Sequence, residues 1–186
     1  MIAPLVLFLF SGVVVVWALY VPGAKDMLLV AGPSAIGSLY LFLQALVRRP
    51  ARALRWIVVD GSNVMHWKEG EPDIGTVRDV VGRLAALGYT AGVVFDANAG
   101  YRLNGRYLNE RALGRLLGLS EERITVVPKG TPADPAILAA ARGLGARIVT
   151  NDRYRDWAET HPEVRAQGHL IRGGFRQGAL WLDLDA

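Results

Sequence analysis

Residues 56–63 read Trp56-Ile57-Val58-Val59-Asp60-Gly61-Ser62-Asn63, an apolar run that stops on an aspartate followed by turn-forming residues. Trp56–Asp60 therefore reads as a strand. The same pattern recurs outward from it. Gly92-Val93-Val94-Phe95 runs into Asp96, and Ile148-Val149-Thr150-Asn151 runs into Asp152. Between such runs the apolar spacing changes to that of helices. Asp73–Leu87 carries Ile74, Val77, Val80, Val81, Leu84 and Leu87 at helical spacing, with Gly88 as its stop. Thr90–Asp96 is a second strand, Tyr107–Leu117 a helix closed by Gly118, and Ile124–Val127 a short strand. Pro135–Leu144 is a helix closed by Gly145, Arg147–Thr150 a strand, and Asp152–Glu159 a short helix. His169–Arg172 and Ala179–Leu184 read as one or two further strands. This alternation predicts an α/β three-layer sandwich with a mostly parallel sheet.

In such a sheet Asp60, Asp96, Asp134 and Asp152 converge on one rim, at the carboxyl ends of the strands. Four converging carboxylates repel unless a cation neutralises them, and an all-oxygen cluster suits a hard divalent ion. Phosphate esters are the usual substrates of that chemistry. Each aspartate also has a structural role open to it. Asp134 before Pro135 is a good helix N-cap, Asn151 or Asp152 suits a cap, and Asp60 and Asp96 precede turn formers. Repetition favours function: four edges on one predicted rim carry aspartate and not serine, threonine or asparagine.

The first 50 residues differ in kind. Ile2–Val21 and Met27–Val47 carry no charge over 20 and 21 residues, and Pro22–Asp26 is a connection short enough for a tight helical hairpin. At ~1.5 Å per residue each run reaches across a ~30 Å hydrocarbon core. A cleavable leader fits poorly, because residues 1–21 lack a basic start and a small-residue cleavage site. The expected layout is a two-span transmembrane hairpin at 1–50 and an α/β domain at 51–186. Arg48, Arg49, Arg52 and Arg55 follow the second run. They place that end, the N-terminus and the domain on the cytoplasmic side of the cell membrane, against anionic lipid. Gly32-Pro33-Ser34 and Gly37-Ser38 offer small-residue packing surface or a kink. Neither run holds an internal charge, which argues against transport.

The net charge of +4 belongs to that edge: residues 57–186 hold 16 basic and 16 acidic groups. There is no cysteine, which excludes disulfides, thiol nucleophiles, thiolate zinc and iron–sulfur clusters.

Three segments carry a family resemblance. Val58-Val59-Asp60-Gly61-Ser62-Asn63-Val64 resembles the opening motif of the NYN branch of PIN-like nucleases, its Regnase-like ribonucleases in particular. Gly130-Thr131-Pro132-Ala133-Asp134-Pro135-Ala136-Ile137-Leu138 resembles their central acidic motif. Ile148-Val149-Thr150-Asn151-Asp152-Arg153-Tyr154-Arg155-Asp156 is similar to their third, the most specific of the set. The resemblance covers roughly residues 55–175. It implies a PIN-like Rossmannoid sheet, a Mg²⁺ or Mn²⁺ site and RNA as substrate; in-line attack on the phosphodiester at such a site would give 5′-phosphate and 3′-hydroxyl ends. It implies Asp60, Asp134 and Asp152 as ligands of the metal or of its waters, Asp156 as an outer acid and Asn63 as an orienting amide. Asp96 matches the second-strand acid of many PIN-like proteins. Where Regnase-like enzymes usually have a second acid after the central one, this chain has Pro135. That departure keeps a second reading open, a weakly active or inactive RNA-binding scaffold.

Asn98, Tyr101, Arg102, Asn104 and Arg106 fall in the expected loop after the second strand, and Lys129 precedes the central motif. Of these, Asn98, Tyr101, Arg102, Arg106 and Lys129 are the candidate RNA contacts. The partners expected are thus RNA and, through the hairpin, a lipid bilayer; a homo-oligomer is compatible with the sequence. A haloacid-dehalogenase phosphatase needs Asp-x-Asp where Asp60-Gly61-Ser62 stands, and a dinucleotide-binding protein needs more glycine than Gly61 alone.

Overall fold

Two helices lead the chain, α1 (Ile2–Tyr20) and α2 (Leu28–Val47), in a computed structural model that describes residues 2–47 and 54–184. They pack on each other through small side chains. The buried positions are Ser11 and Ala18 in α1 and Ala31 and Ser38 in α2. Each pair is two helical turns apart and so shares a face. Large apolar residues point away: Phe10, Tyr20, Leu29 and Ile36 are 69%, 83%, 79% and 72% exposed. Of the small residues expected to offer packing surface, Ser38 is buried, whereas a side chain at Gly32 or Gly37 would meet open space. Pro33 sits inside α2 without ending it. By length and composition the stretch Lys25–Gln44 is apolar and long enough to cross a membrane; the apolar part of α1, Leu5–Tyr20, is shorter. Arg48, Arg49 and Arg52 lie outside the described residues.

The chain divides into compact units at Met1–Ala53 and Leu54–Ala186. In the second unit, β1 (Arg55–Asp60) leads through a one-turn α3 (Gly61–Val64) to α4 (Ile74–Ala86) and β2 (Tyr89–Phe95). Then come α5 (Ala99–Asn104), α6 (Glu110–Leu117), β3 (Ile124–Val126), α7 (Ala133–Leu144), β4 (Arg147–Val149) and β5 (Leu170–Ile171). The five strands form one sheet in the order β3-β2-β1-β4-β5, and every pairing in it is parallel. Alternate side chains feed opposite cores, as the pleat requires. Ile57 and Val59 join Val77, Val80, Leu84 and Leu113 from α4 and α6 on one face. Val58 joins Ile137, Leu138 and Ala141 from α7 on the other. Each fully buried Val or Leu is worth roughly 1.5–3 kcal/mol, so these stripes fix the three layers. Asp73 starts α4 by accepting the Gly75 N–H at 2.7 Å.

Four expectations change. The loop expected over 98–106 contains α5, whose six residues are too few to show a helical period. The helix expected from Tyr107 starts at Glu110, because Asn109 caps it by accepting the Ala112 N–H at 3.0 Å. α7 begins at Ala133, so Asp134 lies within its first turn and does not cap it; Pro135 sits where a missing N–H costs little. The helix expected over Asp152–Glu159 is one 3₁₀ turn, Arg155–Trp157, because Tyr154 takes a left-handed φ of 45°. The C-terminal part adds β6 (Gly173–Arg176), antiparallel to β7 (Ala179–Leu182) in a separate two-stranded sheet.

Candidate active site

Strand order reverses beside β1. The chain lays β2 and β3 on one side of it, then crosses back through α7 to place β4 on the other. In parallel sheets the crevice at such a switch point is where ligands bind. Asp60 ends β1 there, Thr150-Asn151-Asp152 follow β4, and the first turn of α7 brings Asp134.

Asp60 is the most enclosed of the acids, 6% exposed. Its Oδ1 accepts the Asn63 N–H at 3.0 Å. Its Oδ2 accepts the Thr150 hydroxyl at 3.1 Å and the Tyr154 hydroxyl at 3.0 Å. Burial raises its pKa; the three donors pull it down, and the nearby Asp134 charge adds to the rise. Burial, then the Asp60 charge, holds the Tyr154 phenol well above its ordinary value, so it remains a neutral donor. Thr150 is fully buried and works twice: its Oγ1 donates to Asp60 and accepts the Asp152 N–H at 3.0 Å. The Asp152 Oδ1 in turn accepts the Tyr154 N–H at 2.8 Å. The third sequence motif thus ties its own aspartate and the first motif's aspartate into one network.

Gly61 is required for a reason other than turn freedom. A Cβ there would lie 2.5–2.7 Å from the Phe95 ring, which packs directly on the backbone behind Asp60. Asn63 is a tie between elements. Its Oδ1 accepts the Trp67 indole N–H at 2.8 Å and the Asn151 N–H at 3.0 Å. Asn151 carries the link on, with its Nδ2 donating to the Gly173 carbonyl at 2.9 Å.

Asp134 has its pKa raised, first by burial and then by the charges of Asp152 and Asp156; the Trp157 indole N–H, 3.2 Å from its Oδ2, opposes that rise. Asp60, Asp134, Asp152 and Asp156 thus form one electrostatic neighbourhood. Asp96 stands apart: its Oδ1 accepts the Asn98 N–H at 2.7 Å and its own N–H donates to Ser62. Among the described residues none of these five acids makes an ion pair, and Arg153 and Arg155 do not neutralise Asp152. Nor do three acids or imidazoles among the described residues form a group that could hold an ion directly. The all-oxygen donors and lack of a basic partner suit a hydrated Mg²⁺ or Mn²⁺ bound largely through its waters, a mode Mg²⁺ favours. They do not make a ready cage.

Sequence reasoning did not find Thr150, Tyr154 and Trp157 as supports of the acids, nor Ser62 as the anchor of Asp96. All four lie inside or beside the quoted motifs, but only the tertiary fold aims their donors. Of the candidate RNA contacts, Asn98, Tyr101 and Lys129 line one cleft beyond Asp96. The Arg102 guanidinium lies 3.4 Å from the His66 Nε2, and Arg106 is exposed in the turn after α5.

A doubly wound parallel sheet with a carboxylate network at its switch point is the class that fold and site define. The chain belongs to the Zc3h12a-like Ribonuclease NYN domain family, whose profile matches residues 53–182. In fold it is similar to nuclear proteinaceous RNase P 2 of Arabidopsis thaliana. One crystal structure of that protein aligns with a TM-score of 0.54 and 15% identity over 94% of this chain. A second structure of it aligns with a TM-score of 0.52 and 18% identity over 77%. The chain spans 35% and 32% of the length of those two structures. No curated protein sequence matches it.

Proposed function

We propose that this chain is a divalent-metal-dependent endoribonuclease carried on a membrane by its N-terminal helices. The observation that carries the reading is the buried Asp60, held by three donors beside Asp134, Asp152 and Asp156, with no cation paired to any of the four among the described residues. Membership of a ribonuclease domain family supports the substrate class. A bound Mg²⁺ or Mn²⁺ would neutralise these carboxylates and polarise the phosphodiester, leaving 5′-phosphate and 3′-hydroxyl ends. Asp60, Asp134 and Asp152 would hold the ion or its waters, and Asp156 would add charge from outside. Thr150 and Tyr154 fix Asp60 in place and favour its carboxylate form against the effect of burial. Asn63 has its carbonyl oxygen engaged by Trp67 and Asn151, which leaves its NH₂ for a phosphate oxygen. Asp96 shapes the rim next to the substrate through its turn with Asn98.

The helices support the tether. Their large apolar side chains face outward, which suits lipid and not water, and α1 and α2 measure about 28 and 30 Å at ~1.5 Å per residue. The α/β domain then lies at the cytoplasmic face, by the arginines that follow α2. Incubating the full chain in lipid nanodiscs with RNA and Mg²⁺, Mn²⁺ or EDTA tests the reading. Cleavage that needs the ion and leaves 5′-phosphates is expected; cleavage in EDTA, or 2′,3′-cyclic ends, contradicts it. Pro135 and the lack of a ready cage favour one rival, an RNA-binding scaffold. That rival predicts RNA binding with no heat of Mn²⁺ binding in calorimetry.

A further inference from the structure

One strand over from the acidic crevice, on the same rim, is a second cleft of about 330 Å³. Asn98, Tyr101 and Tyr107 form one side of it, and Val127, Pro128 and Lys129, past the end of β3, form the other. Tyr101 in α5 and Tyr107 in the turn after it are 56% and 52% exposed. Their backbone is nevertheless fixed. A Cβ on Gly100 would lie 2.7 Å from the Arg106 carbonyl oxygen and also strike Leu108, so the turn carrying Tyr107 packs directly against α5. Gly105, with φ at 66°, closes α5 and starts that turn, and Leu108 is buried behind it. The lining includes no acid, and it includes Lys129. Arg102 and Arg106 extend the same segment, and neither makes an ion pair among the described residues.

Aromatic faces held on a rigid backbone, with cations beside them, are the chemistry that receives an unstacked base and its phosphate. We propose that this cleft seats one unpaired base of the RNA, next to the phosphodiester that lies over Asp60, with Tyr101 and Tyr107 as the residues that read the base's presence. The inference rests on the ribonuclease reading of the crevice. Neighbouring strands are about 4.8 Å apart, so the ends of β2 and β3 stand about 5–10 Å from that of β1, the scale of adjacent nucleotides. Tyr101 and Tyr107 stack on the base, and Lys129 contacts the phosphate.

The test is binding of a short fluorescent single-stranded RNA to the full chain in nanodiscs, with EDTA present so that nothing is cut. The same strand is compared with versions made abasic at one position at a time. At one position the wild type loses affinity on the order of tenfold on removal of the base, the scale of one base–aromatic stack. Tyr107→Ala binds the intact strand about tenfold more weakly and no longer distinguishes it from the abasic one; Tyr107→Phe restores the difference. Lys129→Ala weakens both strands alike and lowers the salt dependence. Both tyrosines are half exposed, so truncation leaves the fold standing, and unchanged thermal unfolding verifies it. The proposal is overturned if Tyr101→Ala and Tyr107→Ala retain the wild-type difference between intact and abasic strands, or if the wild type shows no such difference or binds no RNA. A wild type that shows the difference yet never cuts with Mg²⁺ or Mn²⁺ keeps the cleft and loses the nuclease reading. One that cuts while the tyrosine variants bind and cut unchanged loses the cleft alone.

Discussion

In the leading helices Ser11, Ala18, Ala31 and Ser38 lie inside while Phe10, Leu29 and Ile36 face out; in the α/β domain Val77, Leu84 and Phe95 lie inside while charged side chains face out. Water drives the second arrangement, because burying large apolar side chains removes them from it. It opposes the first. Close packing through small side chains, with large apolar ones outward, is how helices associate where the surroundings are themselves apolar. The same chain thus carries two solutions to burial, and the difference is the physical content of the proposed tether.

The sharpest way to break that comparison is to separate the regions. Removal of residues 1–53 is expected to move the protein wholly from the membrane fraction to the aqueous one, with RNA cleavage retained; a full chain washed off membranes by alkaline carbonate contradicts the tether. Within the domain, Gly61→Ala drives a methyl into the Phe95 ring and is expected to cost about 1–3 kcal/mol in denaturant unfolding. The equivalent change at Gly37 in α2, which meets open space, is expected to cost nothing measurable. Tyr154→Phe removes one donor from a buried carboxylate, and a loss of roughly 1.5–3 kcal/mol is expected, together with reduced turnover at unchanged RNA affinity.

The pH dependence is smaller and has a definite sign. Burial raises the pKa of Asp60 in the folded chain. Its contribution is therefore fully present below the unfolded value, about 3.9, and is lost as pH rises through the folded one. Without divalent ions the melting temperature should fall as pH rises across that window, and Asp60→Asn should flatten the fall. His169 acts in the opposite direction. Burial lowers its pKa, and its Nε2 has no partner among the described residues. Stability should thus drop slightly as pH falls below about 6.5, and less so in His169→Gln.

Parts of this were legible in the sequence because they are local. The run into Asp60 showed its strand, and Ile74 to Leu84 showed α4 by period. The three motifs marked Asp60, Asp134 and Asp152 for one rim. What stayed hidden is tertiary or too short to have a period. The left-handed turn at Tyr154 replaces an expected helix, and it is what lets the phenol reach Asp60 some 94 residues away in sequence. α5 lacks the length to declare itself. In the helical pair Ser38, within the small-residue surface read from the sequence, is buried, whereas Ser11, Ala18 and Ala31 carry no local mark that sets them apart.

The most direct measurement is single-turnover cleavage of one single-stranded RNA by the wild type and by Asp60→Asn, in Mg²⁺ and in EDTA, in the same nanodiscs. Cleavage by the wild type in Mg²⁺ alone is expected, with Asp60→Asn slower by a hundredfold or more, on the order of losing one essential electrostatic group. Equal rates for the two proteins, or equal rates with and without the ion, would contradict the account.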